Sequence, residues 1–200
     1  MRFVGTTLTL AAMLCASVPA VAAQADPAAA KIEAFDGALL ETMKGAKTLG
    51  PMGRYRKMAP AVDAAFDMAT MTQYSVGPAW TTFTPAQKTT LIAAFTRLSV
   101  ASYAHNFDGY SGERLDIDPA VQTRGTDKIV STHLVQPGKA PVSLLYRMRQ
   151  SGGSWRIIDV YYGAISQLTT RRSDFARPLA TGGAAGLIAH LNSSSDGLLK

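Results

Sequence analysis

Catalysis needs titratable side chains that converge, so the histidines and carboxylates are the first residues to weigh. His105, His133 and His190 are scattered, and no second histidine, cysteine or carboxylate stands at a spacing that would build a metal centre. No metal site is expected, and each imidazole reads as a surface or structural group. Asp159 differs, because it sits between Ile158 and Val160 in an apolar run where burial would perturb a carboxyl into a general base. Paired with a tyrosine such as Tyr146 as acid, it would serve a small α+β isomerase or hydrolase acting on a hydrophobic substrate. The alternative is structural: an ion pair or hydrogen-bond network with an arginine such as Arg147 or Arg171. No Gly-rich phosphate loop, nucleophile elbow or dinucleotide fingerprint occurs, and no catalytic residue is assigned.

What the chain has in excess is apolar and aromatic side chains at regular spacing. Phe95, Leu98, Tyr103 and Phe107 recur at helical intervals, and Leu144, Tyr146, Ile157, Val160 and Tyr162 fall in strand-like runs. Any one of them alone reads as core. The set of nine predicts an apolar pocket.

The elements that would position them follow from caps and periodicity. Asp26-Pro27 is an N-cap followed by proline at the first helical position, and Ile32, Phe35, Leu39 and Met43 then share one face. The glycine-bearing stretch 45–53 ends that helix, a shorter one covers 55–62, and Asp67 caps another that Gly77-Pro78 stops. Thr84-Pro85-Ala86-Gln87 is a capping box, and a long helix with a wide apolar face runs from there to Asp108-Gly109. Beyond Gly112 the period changes to two over 114–118, 128–135, 142–149 and 155–162, with brief turns between, which predicts an antiparallel meander. The last run is apolar on both faces and is expected at the centre of the sheet. Helix returns at Ser166, Gly182-Gly183 breaks it, and residues 193–200 are expected to fray as a flexible tail. The fold class is therefore α+β: a single domain with a curved antiparallel sheet of about four strands, wrapped by helices around an apolar cavity.

Residues 1–25 read as a cleaved secretory signal, with Arg2 as the positive start, an apolar stretch from Val4 to Leu14, and small residues at Ala20-Val21-Ala22-Ala23. Cys15, the single cysteine, lies inside that segment, so the processed domain 26–192 must be held by its core without disulfides. The formal net charge of +6 suits either simple solubility or attraction to anionic membranes and acidic partners. Arg54, Arg56, Lys57, Arg171 and Arg172 would contact phosphate head groups or acidic docking surfaces, or form a solvated face. Nucleic acid is excluded as a partner, because the basic residues are spread through the chain rather than packed beside stacking aromatics.

Ordered motifs also carry a family resemblance. Met58-Ala59-Pro60, Phe66-Asp67-Met68-Ala69, Gly77-Pro78-Ala79-Trp80, the 84–87 capping box and Tyr146-Arg147-Met148 come first. The run 153–160, Gly-Ser-Trp-Arg-Ile-Ile-Asp-Val, then precedes Gly163-Ala164-Ile165-Ser166-Gln167 and Arg171-Arg172-Ser173-Asp174-Phe175. In this order they resemble the MlaC/toluene-tolerance family of periplasmic lipid carriers, and Gly182-Gly183 with Leu187-Ile188 and Leu191 is most similar to its hopanoid-associated HpnM branch. The resemblance implies a non-enzymatic carrier with a deep apolar cavity. Its cargo would be phospholipid or hopanoid, with no cofactor beyond that bound lipid. The nine apolar residues would then be lipid-binding. Implied partners are an inner-membrane transporter complex and an outer-membrane acceptor complex, with transient membrane-surface contact. The family pattern has an acidic residue between the central strand and Ser166, where this chain reads Tyr161-Tyr162-Gly163-Ala164-Ile165.

Overall fold

Caps set the helical layer. The computed structural model describes residues 26–200, so the signal segment and Cys15 lie outside the described residues. Helix α1 (Pro27–Lys44) begins at Asp26, whose carboxylate accepts the Ala28 N–H at 2.8 Å and takes Lys128 Nζ at 2.5 Å. One side chain thus caps a helix and ties it to the sheet. Helix α2 (Ala46–Ala65) is bent at Gly50, where φ is +60°, a conformation that glycine alone adopts cheaply, and Pro51 opens its longer second half. Asp67 caps α3 (Met68–Val76) by accepting from Thr70 N at 2.9 Å, and a 3-10 turn (Gly77–Thr82) follows. Helix α4 (Pro85–Asn106) starts at the expected capping box, with Gln87 N donating to Thr84 Oγ1 at 3.2 Å and Thr84 N to Gln87 Oε1 at 2.9 Å.

The sheet comprises β1 (Arg114–Ile117), β2 (Gln122–Arg124), β3 (Asp127–Val135), β4 (Val142–Ser151), β5 (Ser154–Tyr162) and β6 (Ile165–Ser166). All pairs are antiparallel in the order β1-β3-β4-β5-β6, with β2 sharing the outer side of β3. The four strand runs legible in the sequence are the β1, β3, β4 and β5 of this sheet, and two short strands add to them.

The centre is β4, not β5 as its two apolar faces suggested. The outer edge of β5 carries only the two residues of β6 and a parallel bridge between Phe66 and Ile157. The α2–α3 junction covers that edge instead: Asp67 N donates to Ile157 O at 2.9 Å, and Arg156 Nη1 to Asp63 O at 2.8 Å. A strand roofed by helix on its edge is buried as thoroughly as a central one.

A register shift compounds this. Arg147 opposes Asp159 while Met148 opposes Ile157, so Ile158 is an extra residue in β5. The bulge moves Ile157 onto the face of Met148 and Tyr146, where strict alternation would have put it on the other.

Phe35 on α1 anchors the core between the layers. Its ring meets Phe66 at 5.2 Å, Tyr103 at 5.2 Å and Tyr146 at 6.4 Å, each edge to face.

Helix α5 (Gln167–Leu198) bends sharply at Gly183, with φ +54° and ψ −144°, as the paired glycines predicted. The bend brings Gly186 against Pro178, so that a Cβ added at Gly186 would stand 2.8 Å from the Pro178 carbonyl oxygen. Gly186→Ala is expected to cost about 1–3 kcal/mol by overpacking, read as a lowered midpoint in thermal unfolding.

The expected fraying of 193–200 does not occur: the helix continues to Leu198, with Ser195 fully buried. Arg97 on α4 holds it there, through Asp196 Oδ1 at 2.6 Å and Asn192 O at 3.2 Å. Contact across the fold supplies what the Ser-rich local sequence lacks.

Candidate lipid-binding site

Between α1, α4, the start of α5 and the inner face of β3 to β5 lies a cavity of about 750 Å³. At the roughly 30 Å³ that a water-sized group occupies in a liquid, it holds about 25 such groups. One acyl chain of about sixteen carbons fits, with room for part of a second or for much of a polycyclic hydrocarbon.

Eight of the nine residues singled out in the sequence meet in its wall. Helix α4 contributes Phe95, Leu98, Tyr103 and Phe107, β4 contributes Leu144 and Tyr146, and β5 contributes Val160 and Tyr162. Ile157 does not reach it. It is fully buried behind the wall, against the Phe66 bridge.

The wall also uses residues that strand and helix patterns did not single out for it. Leu39 and Met43 of α1, Phe66, Met71 of α3, Leu134 of β3 and Leu168 of α5 complete the apolar lining. Leu39 and Met43 belong to the α1 stripe that periodicity revealed. Nothing local distinguishes a stripe facing a cavity from one facing packed neighbours.

Polar groups reach the cavity from two chain connections. Toward the α4–β1 connection, Glu113 accepts Ser111 N at 2.5 Å and Gln136 Nε2 at 3.5 Å. The Ser111 amide holds its carboxyl below the usual range, so Glu113 is satisfied within its own turn. Beside the β6–α5 corner stand Gln167 and Arg171, from the first turn and a half of α5. The Arg171 guanidinium pairs with Asp174 at 3.2 Å and is partly exposed. Ser99 and Ser102 face the cavity but donate their hydroxyls back to Phe95 O and Leu98 O at 2.9 and 2.8 Å, so neither donor demands a partner from a ligand.

Asp159 does not line this cavity. Its carboxylate accepts Ser166 Oγ at 2.7 Å and Leu168 N at 3.2 Å, while Ser166 itself caps α5 by accepting from Thr169 N. The expected arginine partners are engaged elsewhere: Arg147 and Arg149 converge on buried Asp127, and Arg171 turns to Asp174. Asp159 therefore anchors the β5–α5 corner by hydrogen bonds rather than by an ion pair. Tyr146 and Asp159 do not face one space, so the acid–base pair considered above is not assembled. Asp159→Asn is expected to lower stability by about 1–2 kcal/mol through the weakened cap, while lipid retention persists.

Arg54 is corrected as well. It is buried, donating from Nε to Ala104 O at 2.6 Å and from Nη1 to Ala46 O at 3.2 Å, so it satisfies helix-end carbonyls instead of meeting a ligand.

The residue missed altogether is Asp36. It lies on the apolar face of α1, 3% exposed, where Oδ1 accepts the Tyr146 hydroxyl at 3.4 Å. Its Oδ2 and the buried Thr132 hydroxyl lack hydrogen-bond partners among the described residues. Burial lifts its carboxyl to about 7, against the lesser opposing pull of the Tyr146 hydroxyl. Burial likewise raises the Tyr103 and Tyr146 phenols, so both stay neutral. A charge-bearing residue directly after Phe35, in line with Ile32 and Leu39, was the available signal.

Comparison with known proteins settles the family. A model described as MlaC protein matches residues 33–193, which is most of the chain. The chain belongs to the MlaC family. Among solved structures, it is similar to a phospholipid-binding protein from Ralstonia solanacearum in complex with a phospholipid. The match has a TM-score of 0.74 and 25% sequence identity, over 88% of this chain and 100% of that one. The MlaC fold thus accounts for the helices wrapped on one antiparallel sheet and for the cavity between them. Among the described residues, no group of three or more His, Cys, Asp or Glu stands ready to hold a metal ion, and no helix is long and apolar enough to cross a membrane.

Proposed function

We propose that this MlaC-family protein is a periplasmic carrier, shuttling phospholipid or hopanoid between the inner and outer membranes with the hydrocarbon in the cavity and the polar end near Gln167 and Arg171. The observation that carries this reading is an apolar cavity of about 750 Å³ with a single cation, Arg171, in its lining. The phospholipid held by the similar Ralstonia protein supports it, and the signal-like residues 1–25 support export. The lipid is cargo and needs no cofactor. The protein acts without catalysis, the carboxylates of Asp159, Glu113 and Asp36 serving a helix corner, a polar turn and a core hydrogen bond.

Burying a chain of about sixteen carbons gains on the order of 12 kcal/mol relative to water, and close to nothing relative to a bilayer. The carrier shields lipid across an aqueous gap but supplies no direction. Direction comes from docking to an inner-membrane transporter complex and an outer-membrane acceptor complex.

The test is to purify the protein from the envelope of a hopanoid-producing host, extract it with organic solvent and identify the extract by mass spectrometry. Stoichiometric phospholipid or hopanoid is expected, and which of the two appears decides between the phospholipid and HpnM-like branches. A folded protein that yields no lipid overturns carriage.

A further inference from the structure

Two of the most exposed large apolar side chains stand side by side at the β5–β6 turn, and one of them lines the cavity. Tyr162 is 54% exposed and Ile165 62%. They are cross-strand partners on β5 and β6, joined by Gly163-Ala164, so the two side chains share one face of the tip. Residues 161–165 carry no charge.

The tip is held in place. Gly163 adopts φ +60°, as a two-residue hairpin turn requires, and its N–H donates to Ser143 O on β4 at 2.9 Å. Asp159 and Ser166 fasten the chain immediately beyond it. An apolar tip that is already ordered loses little conformational entropy when it is buried.

It is also continuous with the cavity. Tyr162 belongs to both the wall and the exposed tip, and Gln167, Leu168 and Arg171 follow within six residues of Ile165 on the same side. An apolar tip beside a guanidinium matches the interfacial layer of a bilayer, where aromatic rings sit at headgroup depth and cations meet phosphate. The net charge, +6 over the full sequence and +5 without Arg2 of the signal segment, adds long-range attraction to an anionic surface.

We propose that the β5–β6 turn inserts Tyr162 and Ile165 into the headgroup layer of an anionic phospholipid bilayer, setting the cavity against the membrane for lipid to enter or leave. This rests on the carrier reading above and names the contact by which cargo would be exchanged.

The test uses Ile165→Asp and Ala164→Asp, at exposed positions outside the cavity wall, in protein recovered from the cell envelope. Binding is read by co-sedimentation with phosphatidylglycerol–phosphatidylcholine vesicles, and exchange by transfer of a fluorescent phospholipid between vesicles. Both variants are expected to keep the unmodified protein's lipid stoichiometry while vesicle binding and transfer fall by about tenfold. Ile165→Leu is expected to retain both. Unchanged binding and transfer in the two aspartate variants would overturn the proposal. So would failure of the unmodified protein to bind vesicles at all, which would point to a protein partner for the tip. Absence of lipid from every protein would sink carriage, while vesicle binding, read separately, still decides insertion.

Discussion

Val160→Glu is expected to abolish lipid retention while the protein stays folded. Val160 is half-buried in the cavity wall rather than packed in the core, so a longer side chain enters open space. In the empty cavity the new carboxylate keeps water around it. A lipid tail would displace that water and leave an unpaired charge against hydrocarbon, at a cost of several kcal/mol. Each 1.4 kcal/mol is about a factor of ten in affinity, so co-purifying lipid should fall by a hundredfold or more. Leu144→Glu should act in the same way, with an added loss of stability because Leu144 is 7% exposed. The measurement is lipid per protein by mass spectrometry alongside a thermal unfolding curve. A folded Val160→Glu protein that still carries stoichiometric lipid would remove the cavity as the binding site.

Asp36→Asn is expected to stabilise the protein at pH 8 and to change it little near pH 4. The folded state holds the Asp36 carboxyl at about 7, above its ordinary value of 3.8, so between those values the folded protein binds more protons than the unfolded chain. Stability contributed by this group is therefore fully present below about pH 4, falls as pH rises, and is lost above about pH 7. The groups facing it are the phenols of Tyr146 on β4 and Tyr103 on α4, both neutral throughout, and the Thr132 hydroxyl on β3. The cost of ionisation is on the order of 4 kcal/mol, since each pK unit corresponds to about 1.4 kcal/mol. Asparagine keeps the shape and an acceptor for Tyr146 without that charge.

Asp26, Glu113 and Asp127 are all held below their usual values and lose stability toward acid instead. They are common to both proteins and cancel in the difference. Thermal midpoints of the two proteins at pH 4.5, 6, 7 and 8 read the effect directly. Parallel curves across that range would show that Asp36 does not titrate as its burial dictates.

Local chemistry was legible where the backbone acts on its own neighbours. Thr84 and Gln87 form their capping box, Asp67 caps α3, and Gly183 bends α5, because each feature depends on residues within a few positions. Eight members of the cavity wall were legible as two sets, one at helical spacing along α4 and one on the strands. Three kinds of feature escaped. The extra residue Ile158 changes which face Ile157 occupies, and a bulge leaves no mark on a run of apolar residues. Arg54 read locally as a ligand-facing or solvated cation and Asp36 drew no reading, yet one serves a carbonyl fifty residues away and the other meets a tyrosine on the far layer. The final helix persists through Arg97, a partner that no window around Asn192 contains. In each case the deciding contact is long in sequence.

The short edges of the sheet have a consequence for the protein between encounters with its cargo. A carrier that travels empty must keep its own strands from recruiting a neighbour's. On one flank, β1 and β2 divide the outer side of β3 into two short pieces separated by Asp118-Pro119. On the other, β6 offers two residues, and the remainder of β5 is roofed by Phe66 and Arg156. Neither flank presents a long, flat row of free amides and carbonyls, so polymerisation through added strands has no template to start from. Between cargoes, the strand edges of the protein therefore offer no row of free backbone groups to a second copy.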